Sequence, residues 1–170
     1  RISHLSGTTG GREPGPADRC VSDPLVRELA PVDLPALVRL DEAVFGVGRE
    51  DWLRALFDAS NTRHFGRGAV GALEASVGLR ERRDGVLYLD TCNAQSFDAL
   101  QPLIDHVIGQ HADHVLECMV ALDSDLHRHL LGHGFFVPSR FAEIGPLVDY
   151  AGGEQTGIGC AEQVRTLNWF

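Results

Sequence analysis

At 170 residues, with 44% apolar and 23% charged side chains, the chain fits one soluble globular domain with room for a real hydrophobic core. Fifteen Lys and Arg stand against 24 Asp and Glu, a formal net charge of −9, which argues against nucleic acid or an anionic membrane as main partner because both need a basic surface. No apolar run approaches the ~20 residues of a membrane helix, the first residues lack the apolar core of a signal peptide, and Cys20, Cys92, Cys118 and Cys160 are too scattered for a disulfide framework, which points to reduced thiols and the cytoplasm.

In chain order, residues 7–19 are rich in Gly and Pro and nearly free of apolar side chains, so nothing there offsets the entropy of ordering the backbone. Residues 1–22 therefore read as an arm or linker and 23–170 as the domain. Met119 is the only methionine, so the chain reads as a fragment or one half of something longer. Residues 25–30 read as a first strand. Pro31-Val-Asp-Leu-Pro35 starts a helix, with Asp33 a candidate cap and Pro35 tolerated in the first turn. Leu37, Val38, Leu40, Ala43 and Val44 form its apolar face, and Phe45-Gly46 ends it. A second helix runs from Glu50 to about residue 59 with Trp52, Leu53, Leu56 and Phe57 inward.

Residues 64–70 are ambiguous, being interrupted by Gly66 and Gly68. Residues 75–82 alternate like a strand, Arg83-Asp84-Gly85 is a turn, and 86–92 is the strongest strand pattern in the chain. Ser96 or Asn93 caps a helix through Leu100, Leu103, Ile104, Val107 and Ile108. Val115, Leu116, Met119 and Val120 suit a strand sheltered on both faces. Asp123 or Ser124 caps the next helix, Leu126, Leu130 and Leu131 line it, and Gly132 or Gly134 stops it before a strand opening on Gly-Phe-Phe136. Residues 140–150 read as a last strand broken at Pro146. Strands meeting directly over 62–92 imply an antiparallel part, and strand–helix–strand from residue 86 implies a parallel crossover. The class is α+β, a mixed and mainly antiparallel central sheet with helices on both faces.

This order resembles the GCN5-related N-acetyltransferase superfamily. Leu29-Ala-Pro-Val-Asp-Leu-Pro-Ala-Leu-Val-Arg-Leu-Asp41 looks like its opening strand and first helix, and His133-Gly-Phe-Phe136 resembles its "GF" after the fourth helix. Asp41-Glu-Ala-Val-Phe-Gly-Val-Gly-Arg49 is similar to a "D-x-x-x-F-G-x-x-R" segment of the second half of tandem acetyltransferase-like proteins. In that version residues 1–7 would close a preceding domain; the alternative is an N-terminal arm without such a history.

The resemblance implies that acetyl-CoA, as co-substrate, lies in a splay between two parallel strands, here residues 86–92 and 114–120. Its pyrophosphate would rest on amides opening the following helix, where unpaired N–H groups and the helix dipole favour an anion. The implied cofactor-binding residues are Thr91, Cys92, Asn93, Gln95, Ser96 and Phe97. The family signature there, Q/R-x-x-G-x-G/A, is not met: there is no glycine between Gly85 and Gly109, and Asp98 would repel a phosphate. The family's tyrosine acid, four residues before the "GF" glycine, falls on Leu130. Glu117, Cys118, His127 and His129 are the alternative catalytic candidates; His133 also lies close by. Against these roles, a histidine on a helix surface is more often a solvated group, and a cysteine in a strand more often a small buried hydrophobe.

No metal site is expected. His129 and His133 are spaced i, i+4, but the HExxH glutamate is missing and Gly132 should end the helix between them; His111, His114 and Cys118 form only a loose cluster. Two functions follow from the resemblance: transfer of acetyl to a small-molecule amine, or a catalytically silent domain that binds a ligand or docks a partner, such as a preceding acetyltransferase-like domain or a second copy. An unrelated α+β binding domain is a third alternative.

Overall fold

The computed structural model of the chain describes residues 2–8, 23–82 and 84–136. The strand expected at 140–150, and Cys20 and Cys160, lie outside them. Ten elements follow in order: β1 (Ile2–Thr8), β2 (Val26–Glu28), α1 (Leu34–Phe45), α2 (Glu50–Phe57), β3 (Thr62–Ala69), β4 (Ala72–Glu81), β5 (Leu87–Ala94), α3 (Phe97–Gln110), β6 (Val115–Ala121) and α4 (Asp125–Gly132). The strands form one sheet in the order β1-β6-β5-β4-β3-β2, antiparallel throughout except for the β5–β6 pair. Residues 2–8, read from sequence as part of an arm, pair along the whole of β6 from Ile2↔Ala121 to Thr8↔Val115 and so belong to this sheet.

The caps show which local chemistry prevailed. Ser96 rather than Asn93 opens α3, its hydroxyl accepting from the Ala99 N–H at 3.2 Å, and Ser124 rather than Asp123 opens α4, accepting from the His127 N–H at 3.1 Å. Asp33 precedes α1 without capping it; its carboxylate accepts from the Ala30 N–H at 3.0 Å and from both Arg27 amino groups at 2.6 Å. Gly46 ends α1 at φ +72° and Gly134 turns the chain after α4 at φ +86°, a conformation an L side chain resists. Beyond Gly134, Phe136 exchanges two backbone hydrogen bonds with Ser6, extending the sheet past β1.

The ambiguous segment lies in a full strand, β3, which ends at Ala69 with Val70 in the turn that follows. Its glycines are places where neighbours press on the backbone: a Cβ at Gly66 would lie 2.6 Å from Leu29 Cδ2 and 2.9 Å from Leu73 Cδ2. The two sheet faces differ in character. One packs Phe65, Val77, Leu79, Leu87, Leu89, Cys92 and Val120 against Leu100, Leu103, Ile104 and Val107 of α3 and Leu126 and Leu130 of α4, forming the larger apolar core. The other is covered by α1 and α2, whose own apolar cluster centres on Leu34, Leu37, Leu40, Val44 and Leu53 with Leu29 and Leu73.

Candidate active site at the diverging strands

β5 and β6 pair over three residues only, Leu87↔Leu116, Tyr88↔Glu117 and Leu89↔Cys118. Past that point β5 stays with β4 as far as Ala75↔Ala94, and β6 stays with β1 as far as Ile2↔Ala121. Each strand is thus held on its outer side while the inner ladder stops. The cause is local. In the β4–β5 register Gly78 faces Thr91 but Leu79 faces Leu89, so Asp90 is an extra residue on β5. Such a bulge bends its strand and increases its twist, and it falls one residue after the last β5–β6 pair. Among the described residues no ladder pair joins 90–94 to 119–121.

The bulge also reverses which side chains face α1. After it, Thr91 and Asn93 point to the α1–α2 side, while Cys92 and Ala94 enter the apolar core. Together with residues on the neighbouring strands this makes a buried polar layer: His64 on β3, Ser76 on β4, Asp90, Thr91 and Asn93 on β5, Glu117 on β6, and Asp41 reaching down from α1. Asn93 Nδ2 donates to Asp41 Oδ1 at 2.9 Å, and Arg49 clamps the same carboxylate through Nε (2.9 Å) and Nη2 (2.5 Å). The guanidinium in turn lies 3.8 Å over the Phe45 ring and 4.5 Å over the Trp52 ring. The Asp41, Phe45 and Arg49 of the sequence motif are therefore one contact network that ties α1 to the free end of β5.

Further along, Arg80 Nη2 donates to Asp90 Oδ1 at 3.2 Å, and Arg82 Nη1 donates to Glu117 Oε2 at 3.0 Å. Burial pushes the Asp90 carboxyl above its ordinary range, with the Arg80 charge partly opposing it. Burial likewise raises the Tyr88 phenol well above normal and lowers His64, whose ring stacks on Phe57 at 4.8 Å. Among the described residues His64 Nε2, Ser76 Oγ and Trp52 Nε1 are buried without a hydrogen-bond partner. Orphaned polar atoms of this kind are uncommon in folded proteins and call for an explanation such as a ligand or water.

Of the cofactor-binding residues expected from sequence, Thr91 and Asn93 reach the polar layer beside the divergence; Cys92 does not, since it is core. Gln95 and Ser96 stand at the turn into α3, but the Gln95 N–H donates to the Glu74 carbonyl at 3.0 Å and Ser96 is occupied as a cap. Phe97 packs edge-on to His129 at 5.6 Å. Among the catalytic candidates, Glu117 lies in the polar layer. Cys118 lies in the apolar core with Cys92; burial drives both thiols up, Cys92 to about 12, against thiolate chemistry. His127 is buried at the start of α4, its Nδ1 accepting from the Asp123 N–H at 3.4 Å. His129 turns to α3, where it meets Asp105. Leu130, at the place of the family's acid, is fully buried in the core. Sequence reading missed Asp41, His64, Ser76, Tyr88 and Asp90 as site residues. Tyr88 and Thr91 share a face only because Asp90 breaks the two-residue alternation, so no periodicity marks them.

No family model and no curated protein matches the chain. Its fold is similar to solved GCN5-related N-acetyltransferases. One from Sphaerobacter thermophilus aligns with TM-score 0.58 and 18% identity over 81% of this chain and 48% of that one. One from Anabaena variabilis gives 0.56 and 12% over 81% and 38%, and one from Kribbella flavida 0.54 and 14% over 75% and 32%. The chain spans about a third to three fifths of the length of the solved structures it matches. By element order, sheet topology and the parting of its parallel strands, the chain has the acyl-CoA N-acyltransferase fold of the GCN5-related superfamily.

Proposed function

We propose that this domain binds an acyl-CoA between β5 and β6 and transfers the acetyl group to a small-molecule amine. The observation that carries the reading is the bulge at Asp90, which ends the β5–β6 ladder and leaves main-chain groups of 90–93 beside the gap. In the reaction the amine nitrogen attacks the thioester carbonyl, the C–S bond breaks, the amine gives up a proton and the departing thiolate takes one. A main-chain N–H within 90–93 would stabilise the tetrahedral oxyanion. Asp90 is the group at the bulge best suited to receive the amine's proton, because burial has already raised its affinity for one. With Leu130 in the tyrosine's place, water protonates the departing thiolate. The scattered cysteines and the acidic composition fit a cytoplasmic protein acting on a cationic amine; no described helix is long and apolar enough to cross a membrane.

A second reading rests on the α3 turn. Amides that would meet a pyrophosphate are engaged at Gln95 and Ala99, and Asp98 adds a negative charge in the first turn. These features suit a catalytically silent domain that completes a site in a preceding acetyltransferase-like domain or a second copy. Isothermal titration with acetyl-CoA, followed by product analysis with a panel of amines, separates the two. Saturable heat with amide product supports the transferase. A folded protein giving no heat at millimolar acetyl-CoA leaves the silent domain.

A further inference from the structure

A second cluster lies where α3 meets α4, away from the polar layer and independent of the transferase reading. α4 continues through Gly132, so Gly132 does not separate His129 from His133, whose N–H donates to the His129 carbonyl at 3.1 Å. Residues four apart share a helix face, and here both imidazoles turn to one carboxylate. His129 Nε2 lies 2.6 Å and His133 Nε2 2.9 Å from Asp105 Oδ1 on α3, and the three donor atoms lie within 4.8 Å of one another. The rings meet at 71° with centroids 4.7 Å apart, and the Phe97 ring packs T-shaped against His129 with centroids 5.6 Å apart.

We propose that Asp105, His129 and His133 bind a divalent transition-metal ion of the zinc class. Two imidazole nitrogens and one carboxylate oxygen are a donor set such ions favour, and they leave a tetrahedral position for water or another ligand. Metal–donor bonds of about 2.0–2.1 Å at tetrahedral angles put donors roughly 3.3 Å apart, so each histidine nitrogen needs to part from Asp105 Oδ1 by less than about 1 Å, while the two nitrogens, within 4.8 Å of each other, close by at most about 1.5 Å. The side chains are 16%, 32% and 35% exposed for His129, His133 and Asp105, which gives an ion entry and a water its place. The third donor sits on a different helix, 24 residues before His129, so histidine spacing alone does not reveal the set.

The test uses the full chain stripped with a chelator, titrated with Zn²⁺ by calorimetry and with Co²⁺ by visible absorption. One ion per chain and the intense visible bands of tetrahedral cobalt are expected. Asp105→Asn and His133→Gln should each weaken Zn²⁺ binding by about tenfold or more, while His114→Gln, outside the cluster, should leave it unchanged. Circular dichroism confirms that each variant folds, and the half-buried position of His133 at the end of α4 keeps one variant informative if Asp105→Asn does not. Absence of saturable binding overturns the proposal, as does binding that survives both cluster variants or that His114→Gln weakens equally.

Discussion

The link between α1 and the free end of β5 makes the sharpest energetic prediction. Asp41 is fully buried and serves three donors, two from Arg49 and one from Asn93, itself 1% exposed. In Asp41→Ala the Asn93 amide loses its acceptor in a site closed to water, a penalty of about 1–3 kcal/mol. Removing one partner of a buried ion pair costs roughly 3–5 kcal/mol, but the Arg49 side chain is 26% exposed and can recover part of its hydration. The combined loss should therefore be about 3–4 kcal/mol, and about 1–2 kcal/mol for Asp41→Asn, which keeps the shape and one acceptor. Urea unfolding followed by circular dichroism reads this as a lower midpoint at unchanged slope. Asp41→Ala and Asn93→Ala should also be non-additive, since they remove the same contact. A loss below about 1 kcal/mol for Asp41→Ala would put the pair in the class of surface bridges and refute the network.

Three further outcomes follow from the same geometry. Gly78→Ala places a Cβ 2.5 Å from Thr91 Oγ1 and 3.4 Å from His64 Cε1; the displaced Thr91 should cost about 1–3 kcal/mol in urea unfolding and weaken acetyl-CoA binding in calorimetry. His64 is held below its usual 6.5 by burial, so the unfolded chain binds the extra proton first. Its contribution to stability is complete above pH 6.5 and lost as pH falls through the lower folded value; thermal melts of His64→Phe should show a shallower acid limb than the parent. Cys92 and Cys118 should resist a thiol reagent at pH 8 in the folded protein and react on denaturation, because burial keeps both thiols protonated; rapid labelling of either in the native state would contradict their place in the core.

Much of the frame was legible because short-range chemistry and long-range packing agree there. Leu100, Leu103, Ile104 and Val107 repeat at helical spacing and do face the core, and residues 86–92 are apolar enough to declare the strand. The strand at 62–69 was obscured because its glycines, which weaken a local pattern, are demanded from outside the strand: Gly66 by the Leu29 and Leu73 side chains, and Gly68 by its φ of +132° and the Ala72 carbonyl. The polar layer was hidden for a related reason: its members come from five elements, α1 and β3 to β6, and the bulge at Asp90 exists only in the register with β4. Likewise Asp105 becomes a partner of two histidines only when α3 meets α4.

Backbone amide NMR during an acetyl-CoA titration tests the central claim most directly. The account predicts that the largest shifts fall on residues 90–93 and 119–121, either side of the gap, while the paired residues Leu87 and Leu116 move little. Shifts confined to other surfaces, or none at saturating acetyl-CoA, would contradict it.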